Sequence, residues 1–198
     1  MSLYKRWLST PMDDPDLAAE LAAVKGKEDE IFDRFYRDLD FGTAGLRGVL
    51  GAGTNRMNIY TIRRATQGLA DYLNGKTKQP AVAISYDSRL KSDVFAREAA
   101  GVLAANGVQV YIYRELMPVS ALSFATRELH CTAGIMVTAS HNPAKYNGYK
   151  VYGGDGCQMT EGAADAVLHC INQLDIFDDI KRIKFEQGIQ DKRIAYIT

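Results

Sequence analysis

Cysteine, tryptophan and proline are scarce in this chain, at 3, 1 and 5 residues out of 198, and neither sign of charge prevails. Cys131, Cys157 and Cys170 are odd in number, widely spaced and form no C-x-x-C pair. They fit neither a disulfide framework nor a zinc site and are expected to be buried free thiols in a reducing cytoplasm. With 24 Lys plus Arg against 24 Asp plus Glu, the chain lacks the basic excess that general affinity for nucleic acid requires. Any anion it binds must therefore be held locally. No stretch approaches the roughly 18 apolar residues of a membrane helix. The first thirty residues carry Asp13, Asp14, Asp16, Glu20, Glu28, Asp29 and Glu30 with no continuous apolar core, so no secretory signal is expected there.

What is present is the composition of an ordinary globular domain, 46% hydrophobic and 24% charged, too apolar for a disordered chain. At this length roughly 70% of the unfolded surface can be buried, so neither a disulfide nor a metal is needed for folding.

Leu17, Leu21, Val24, Ile31, Phe35 and Leu39 recur at near-helical spacing across Asp16–Leu39, with Gly26 as a point where the helix can break in two. Ile59 to Leu73 is a second amphipathic helix, with Asn74-Gly75 as its expected stop. From Pro80 onward strands and helices alternate: strand 81–86, helix 93–105, strand 108–113, helix 118–129, strand 134–138, strand 149–152 and helix 160–174. Strands separated by helices predict crossover connections and an α/β fold, a three-layer α/β/α domain with a mixed, mostly parallel sheet. The strand at 149–152 follows its predecessor too closely for a crossover and is expected to be antiparallel. Residues 176–198 are charged and weakly periodic, and they end in an apolar run that resembles the start of another element. The expected division is a helical extension at 1–40, the main domain at 41–175 and a linker toward a second domain at 176–198, with exposed apolar patches along that last segment marking an interface.

The most informative stretch is Gly134–Tyr152, GIMVTASHNPAKYNGYKVY. Its strand delivers Ser140, His141 and Asn142 to the carboxyl end of the sheet, where open α/β folds place their ligands. Pro143 stops the strand, Asn147-Gly148 is expected to turn the chain back, and Lys150 can then approach Ser140. A hydroxyl, an imidazole, an amide and an ammonium collected in one loop suit the handling of a phosphoryl group. A Ser-His-Asp hydrolase is disfavoured because TASHN lacks the G-x-S-x-G elbow and adjacent side chains on an extended segment point to opposite faces.

A second stretch, FGTAGLRGVLGAGTNRMN at 41–58, has five glycines that allow close backbone approach, with Arg47 offering a planar fork of donors to phosphate. It contains neither a Walker A string nor G-x-G-x-x-G, so it is no nucleotide cradle. The third, Tyr86-Asp87-Ser88-Arg89, also lies at a strand's carboxyl end and reads as a structural ion pair or a support for neighbouring loops. Gly153-Gly154-Asp155-Gly156 reads as a tight turn.

In this order and spacing, FGTAGLRG, YDSR and TASHNPAKYNGYK resemble the phosphohexomutase superfamily of phosphoglucomutases and phosphomannomutases. The string at 41–58 looks most like the phosphoglucomutase and phosphopentomutase branch. The resemblance covers roughly residues 40 to 175 and implies the first of four domains. It implies that Ser140 is the phosphoserine and, through its phosphate, one ligand of a catalytic Mg2+. It further implies that Lys150 is the general acid or base, that His141 shares in catalysis, and that Arg47, His141 and Asn142 contact the phosphoryl group and substrate. The implied reaction interconverts sugar 1-phosphate and 6-phosphate through a sugar 1,6-bisphosphate intermediate. The chain departs from the family in one respect: no DGDGDR-like carboxylate loop follows residue 150, so the remaining metal ligands and sugar contacts are expected from domains beyond this chain. The competing expectation is a non-catalytic sugar-phosphate binding or interaction module.

Overall fold

The computed structural model describes residues 2–197. Three short helices come first, α1 (Leu3–Ser9), α2 (Pro15–Ala23) and α3 (Glu28–Phe35). There follow β1 (Leu46–Val49), α4 (Ile59–Lys76), β2 (Ala81–Tyr86), α5 (Ser92–Ala105), β3 (Gln109–Tyr113), α6 (Val119–Glu128) and β4 (Ala133–Val137). The chain is completed by β5 (Tyr146–Gly153), α7 (Glu161–Asn172), α8 (Phe185–Gln190) and β6 (Ile194–Ile197).

The six strands form one sheet in the order β1-β5-β4-β2-β3-β6. The pairs β4·β2, β2·β3 and β3·β6 are parallel. β5 is antiparallel to both β4 and β1, as its short connection requires. Alternate side chains of the central strands separate the two faces. Val82, Ile84, Ile135 and Val137 pack into a core with α4, α5 and α7, whereas Ala83 and Met136 pack with Leu122 and Ala125 of α6. The sheet therefore has helices on both sides, as expected for an α/β/α domain. Ile84 and Ile135 are fully buried, and each such side chain contributes about 1.5–3 kcal/mol.

Local chemistry accounts for the ends of the elements. Asn58 caps α4 by accepting from the amides of Tyr60 and Thr61, while the Thr61 hydroxyl accepts from the Asn58 amide, a complete capping box. The long helical pattern at 16–39 does break at Gly26, which has φ +81° and separates α2 from α3. Asn74-Gly75 does not stop α4, which continues to Lys76. The short α1 is ordered by Trp7, which is fully buried among Phe35, Tyr60 and Phe177.

Three further expectations are corrected. Asn147-Gly148 is not a turn but the second and third residues of β5, and the chain reverses instead at Pro143–Tyr146, where the Tyr146 amide donates to the Pro143 carbonyl. The segment after 176 carries no exposed large apolar side chain among the described residues. Phe185 and Ile194 are buried, and β6 continues the sheet beside β3; Thr198, the last residue of that apolar run, lies outside the described residues. Of the three free cysteines only Cys131 is buried, and burial pushes its thiol up to about 11; Cys157 is exposed.

Candidate functional site

The connections from the neighbouring parallel strands β2 and β4 leave in opposite directions, through α5 to β3 and directly to β5. Between such strands the carboxyl ends open into a crevice. Its walls are the loop after β2, carrying Asp87, Ser88 and Arg89, and the loop after β4, carrying Ser140, His141 and Asn142. A cavity of about 440 Å³ there is lined by Asp87–Leu90, Ser140, Asn142 and Ala144.

The Ser140 loop has a defined conformation. The Thr138 hydroxyl accepts from the Ser140 amide at 2.9 Å, and the Ala139 carbonyl accepts from the Asn142 amide at 3.1 Å. Ser140 itself adopts φ +54°, in the left-handed region that non-glycine residues seldom occupy. Its side chain is exposed to solvent, whereas Ala139 behind it is buried.

Lys150 lies on β5 opposite Met136 of β4. From there its Nζ donates to Ser140 Oγ at 2.9 Å. Arg47, on the exposed edge strand β1, pairs with Gly148 in register and donates from Nη1 to Asn142 Oδ1 at 3.2 Å. Glycine is needed at 148 for this approach: a Cβ there would lie 2.6 Å from the Thr138 carbonyl oxygen and 2.9 Å from that of Leu46. Within the glycine-rich stretch, β1 carries a cation to the serine loop.

Partial burial and the nearby Arg47 hold the Lys150 ammonium below its usual pKa, opposed by the charge of Asp87. Neither Arg47 nor Lys150 pairs with a carboxylate among the described residues. A hydroxyl within hydrogen-bond reach of a lysine whose pKa is depressed is an arrangement for moving a proton on and off oxygen. The two cations beside it suit an anionic group on that oxygen.

Of the residues singled out from sequence, Ser140 and Lys150 form one bonded pair and Arg47 and Asn142 another. His141 is exposed on the same loop and makes no hydrogen bond to the other four. The support beneath them was only partly anticipated. Arg89 lies within 3.8 Å of Asp87, but its guanidinium bonds mainly to the carbonyls of the Ser140 loop. Asn147, expected in a turn, is fully buried and donates to the Leu90 carbonyl and the Ser92 hydroxyl. The signal for Arg89 was the placement of YDSR at a strand's carboxyl end; no sequence signal separates the buried Asn147 from a turn asparagine.

A magnesium ion is implied by the resemblance, and the donor set can be compared with that requirement. Mg2+ takes six oxygen ligands in near-octahedral geometry. Among the described residues no three His, Cys, Asp or Glu side chains converge to hold a metal ion, and Asp87, which lines the crevice, is engaged by the Ser92 hydroxyl and the Arg89 amide. These residues alone therefore do not build the metal site.

A sequence model of the phosphoglucomutase/phosphomannomutase α/β/α domain I matches residues 38–176. The chain is 46% identical over 140 residues to a phosphoglucomutase of Staphylococcus haemolyticus, covering 71% of this chain and 26% of that protein. The structure of a putative phosphomannomutase from Thermus thermophilus superposes with a TM-score of 0.64 at 32% identity, covering 68% of this chain and 30% of that one. A family protein from Burkholderia thailandensis shares the fold at 21% identity, with a TM-score of 0.60 over 79% of this chain and 32% of that one. The chain spans about a quarter of the length of the curated relatives it matches. With the serine crevice at the strand ends and these likenesses together, the chain belongs to the phosphoglucomutase/phosphomannomutase family and carries its α/β/α domain I.

Proposed function

We propose that this chain is the phosphoserine-bearing part of a mutase that interconverts sugar 1-phosphate and 6-phosphate through a sugar 1,6-bisphosphate. The observation that carries this reading is the 2.9 Å bond from Lys150 Nζ to the solvent-exposed Ser140 Oγ, with Arg47, which meets no carboxylate among the described residues, beside it. A phosphoryl group on Ser140 passes to a hydroxyl of the bound sugar phosphate. Lys150 supplies a proton to Oγ as the Oγ–P bond breaks, while the attacking sugar hydroxyl gives its proton to solvent. In the second half Lys150 takes the proton from Oγ as Ser140 attacks the other phosphate of the bisphosphate, and the released sugar oxygen takes one from solvent. Arg47, with Asn142 oriented by it, neutralises and positions the phosphoryl oxygens, and His141 faces the incoming substrate. Phosphoryl transfer depends chiefly on such positioning and charge.

In this reading the Ser140 phosphate would be this chain's one ligand to Mg2+, which would supply charge neutralisation when bound, the remaining ligands coming from outside the described residues. Residues 41–175 carry the working site, β6 completes their sheet from the segment after 176, and 1–40 is a helical extension upon it; the protein acts in the cytoplasm on a sugar phosphate, with further mutase domains completing the cleft. The test is mutase turnover of the protein that carries this chain as its amino-terminal part. Ser140→Ala is expected to lower turnover by at least about 10⁴-fold, as removal of an essential nucleophile does. Unchanged turnover would overturn the reading.

A further inference from the structure

Arg89 differs from the other cations of the crevice in where its donors go. Nη1 donates to the carbonyls of Pro143 at 3.2 Å and Tyr146 at 3.1 Å, and Nη2 to those of Ser140 at 2.7 Å and Asn142 at 2.5 Å. All four acceptors are main-chain oxygens of one loop. The guanidinium is aimed by its own surroundings. Asp87 Oδ2 lies 3.8 Å from Nε, while Asp87 Oδ1 accepts from the Arg89 amide at 3.0 Å and the Ser92 hydroxyl at 2.9 Å. Only 14% of the side chain is accessible. Arg47, by contrast, is exposed and donates to a single side-chain oxygen.

This distribution decides between two roles. A phosphate-binding arginine must present its fork to the ligand, and the fork of Arg89 is already filled by carbonyls. What those bonds hold is the backbone of Ser140 at φ +54°, a conformation that persists only when its surroundings determine it. That conformation in turn sets the direction of Oγ toward Lys150. We infer that Arg89 is a positioning residue: its guanidinium gathers the 140–146 carbonyls and so holds Ser140 in the geometry for phosphoryl transfer, without contacting substrate. The inference rests on the phosphoserine reading above. Lysine cannot replace it, since one ammonium cannot reproduce a planar fork over four carbonyls.

The experiment compares Arg89→Gln, Arg89→Lys and Ser140→Ala in the mutase-active protein and follows hydrogen exchange of the same variants. Misplacing a reacting group by about 1 Å costs on the order of 100-fold in rate. Arg89→Gln is therefore expected to lower kcat by about 100-fold with KM within about threefold, and Arg89→Lys to recover no more than about a tenth of kcat. The amides of Ser140, Asn142 and Tyr146, bonded within the loop, are expected to exchange at least about tenfold faster while core amides keep their protection. A rise in KM at constant kcat would make Arg89 a substrate contact and overturn the inference. So would unchanged kcat with unchanged loop exchange, or loss of protection spread evenly over loop and core. If Ser140→Ala retains turnover, the functional reading fails instead, and the exchange measurement still decides whether Arg89 orders the loop.

Discussion

Two regions of this molecule use arginine and lysine in opposite ways. Around the amino-terminal helices the cations meet carboxylates: Arg6 pairs with Asp175 at 2.5 Å, Arg34 with Glu20 at 2.6 Å, Arg64 with Asp38 at 2.5 Å and Arg182 with Asp13 at 2.7 Å. Arg63, almost fully buried, bridges Asp13 at 2.6 Å and Glu98 at 2.7 Å. At the strand ends, Arg47 and Lys150 have no such partners among the described residues and donate to an amide oxygen and a hydroxyl respectively. A net charge of zero therefore conceals a division: neutralised cations hold the extension to the domain, and cations without a carboxylate among the described residues gather at the serine crevice. Exposed ion pairs contribute little individually, so the extension is ordered mainly by Trp7 and its aromatic neighbours and by the buried Arg63.

Substitutions on the two sides should separate activity from stability. Among substitutions of the cations, the largest effect is expected for Lys150→Met, which removes the proposed proton carrier at Ser140. Mutase assays should show kcat lowered by about 10³-fold, with the urea unfolding midpoint shifted by less than the equivalent of about 0.5 kcal/mol. Next comes Arg63→Met, which leaves Glu98 without its cation while Asp13 keeps only Arg182. Denaturant titration should show a loss of about 3 kcal/mol, while kcat of the folded fraction stays within about twofold; a selective loss of kcat would erase the distinction between the regions.

The smallest effect is an acid dependence. Hydrogen bonding from Arg6 lowers the Asp175 carboxyl to about 2, against about 3.9 in an unfolded chain. A depressed carboxyl stabilises the fold above the unfolded value. That contribution is lost as pH falls from about 4 through about 2. Arg6→Met should flatten this part of the stability-versus-pH curve by less than about 1 kcal/mol, because both side chains are about a third exposed.

The alternation of strands and helices from residue 81 was legible because the central parallel strands β2 and β4 are buried on both faces and the helices carry apolar stripes, as Ile84, Ile135 and Leu122 illustrate. The approach of Lys150 to Ser140 was legible from the motif and its spacing, and the place of Arg47 beside them from the family resemblance. Elements that depend on distant partners were not. α1 has seven residues, too few to be stable without the pocket that Phe35, Tyr60 and Phe177 make for Trp7. Asn147-Gly148 has turn composition, yet here the asparagine amide reaches Leu90 and Ser92 and the glycine admits two neighbouring carbonyls. β6 reads as part of a linker until β3 is known to offer its free edge. Arg89 illustrates the same limit at the site, since its partners are 51 to 57 residues away along the chain.

The central claim is that Ser140 is the residue that carries the phosphoryl group. Its most direct test is to incubate the whole protein that carries this chain with a sugar 1,6-bisphosphate and Mg2+, digest it, and map phosphate by mass spectrometry. The account predicts one phosphoryl group on the peptide spanning 138–146, localised to Ser140, and none at any site in Ser140→Ala. A phosphoryl group on another residue, or undiminished labelling of Ser140→Ala, would contradict it.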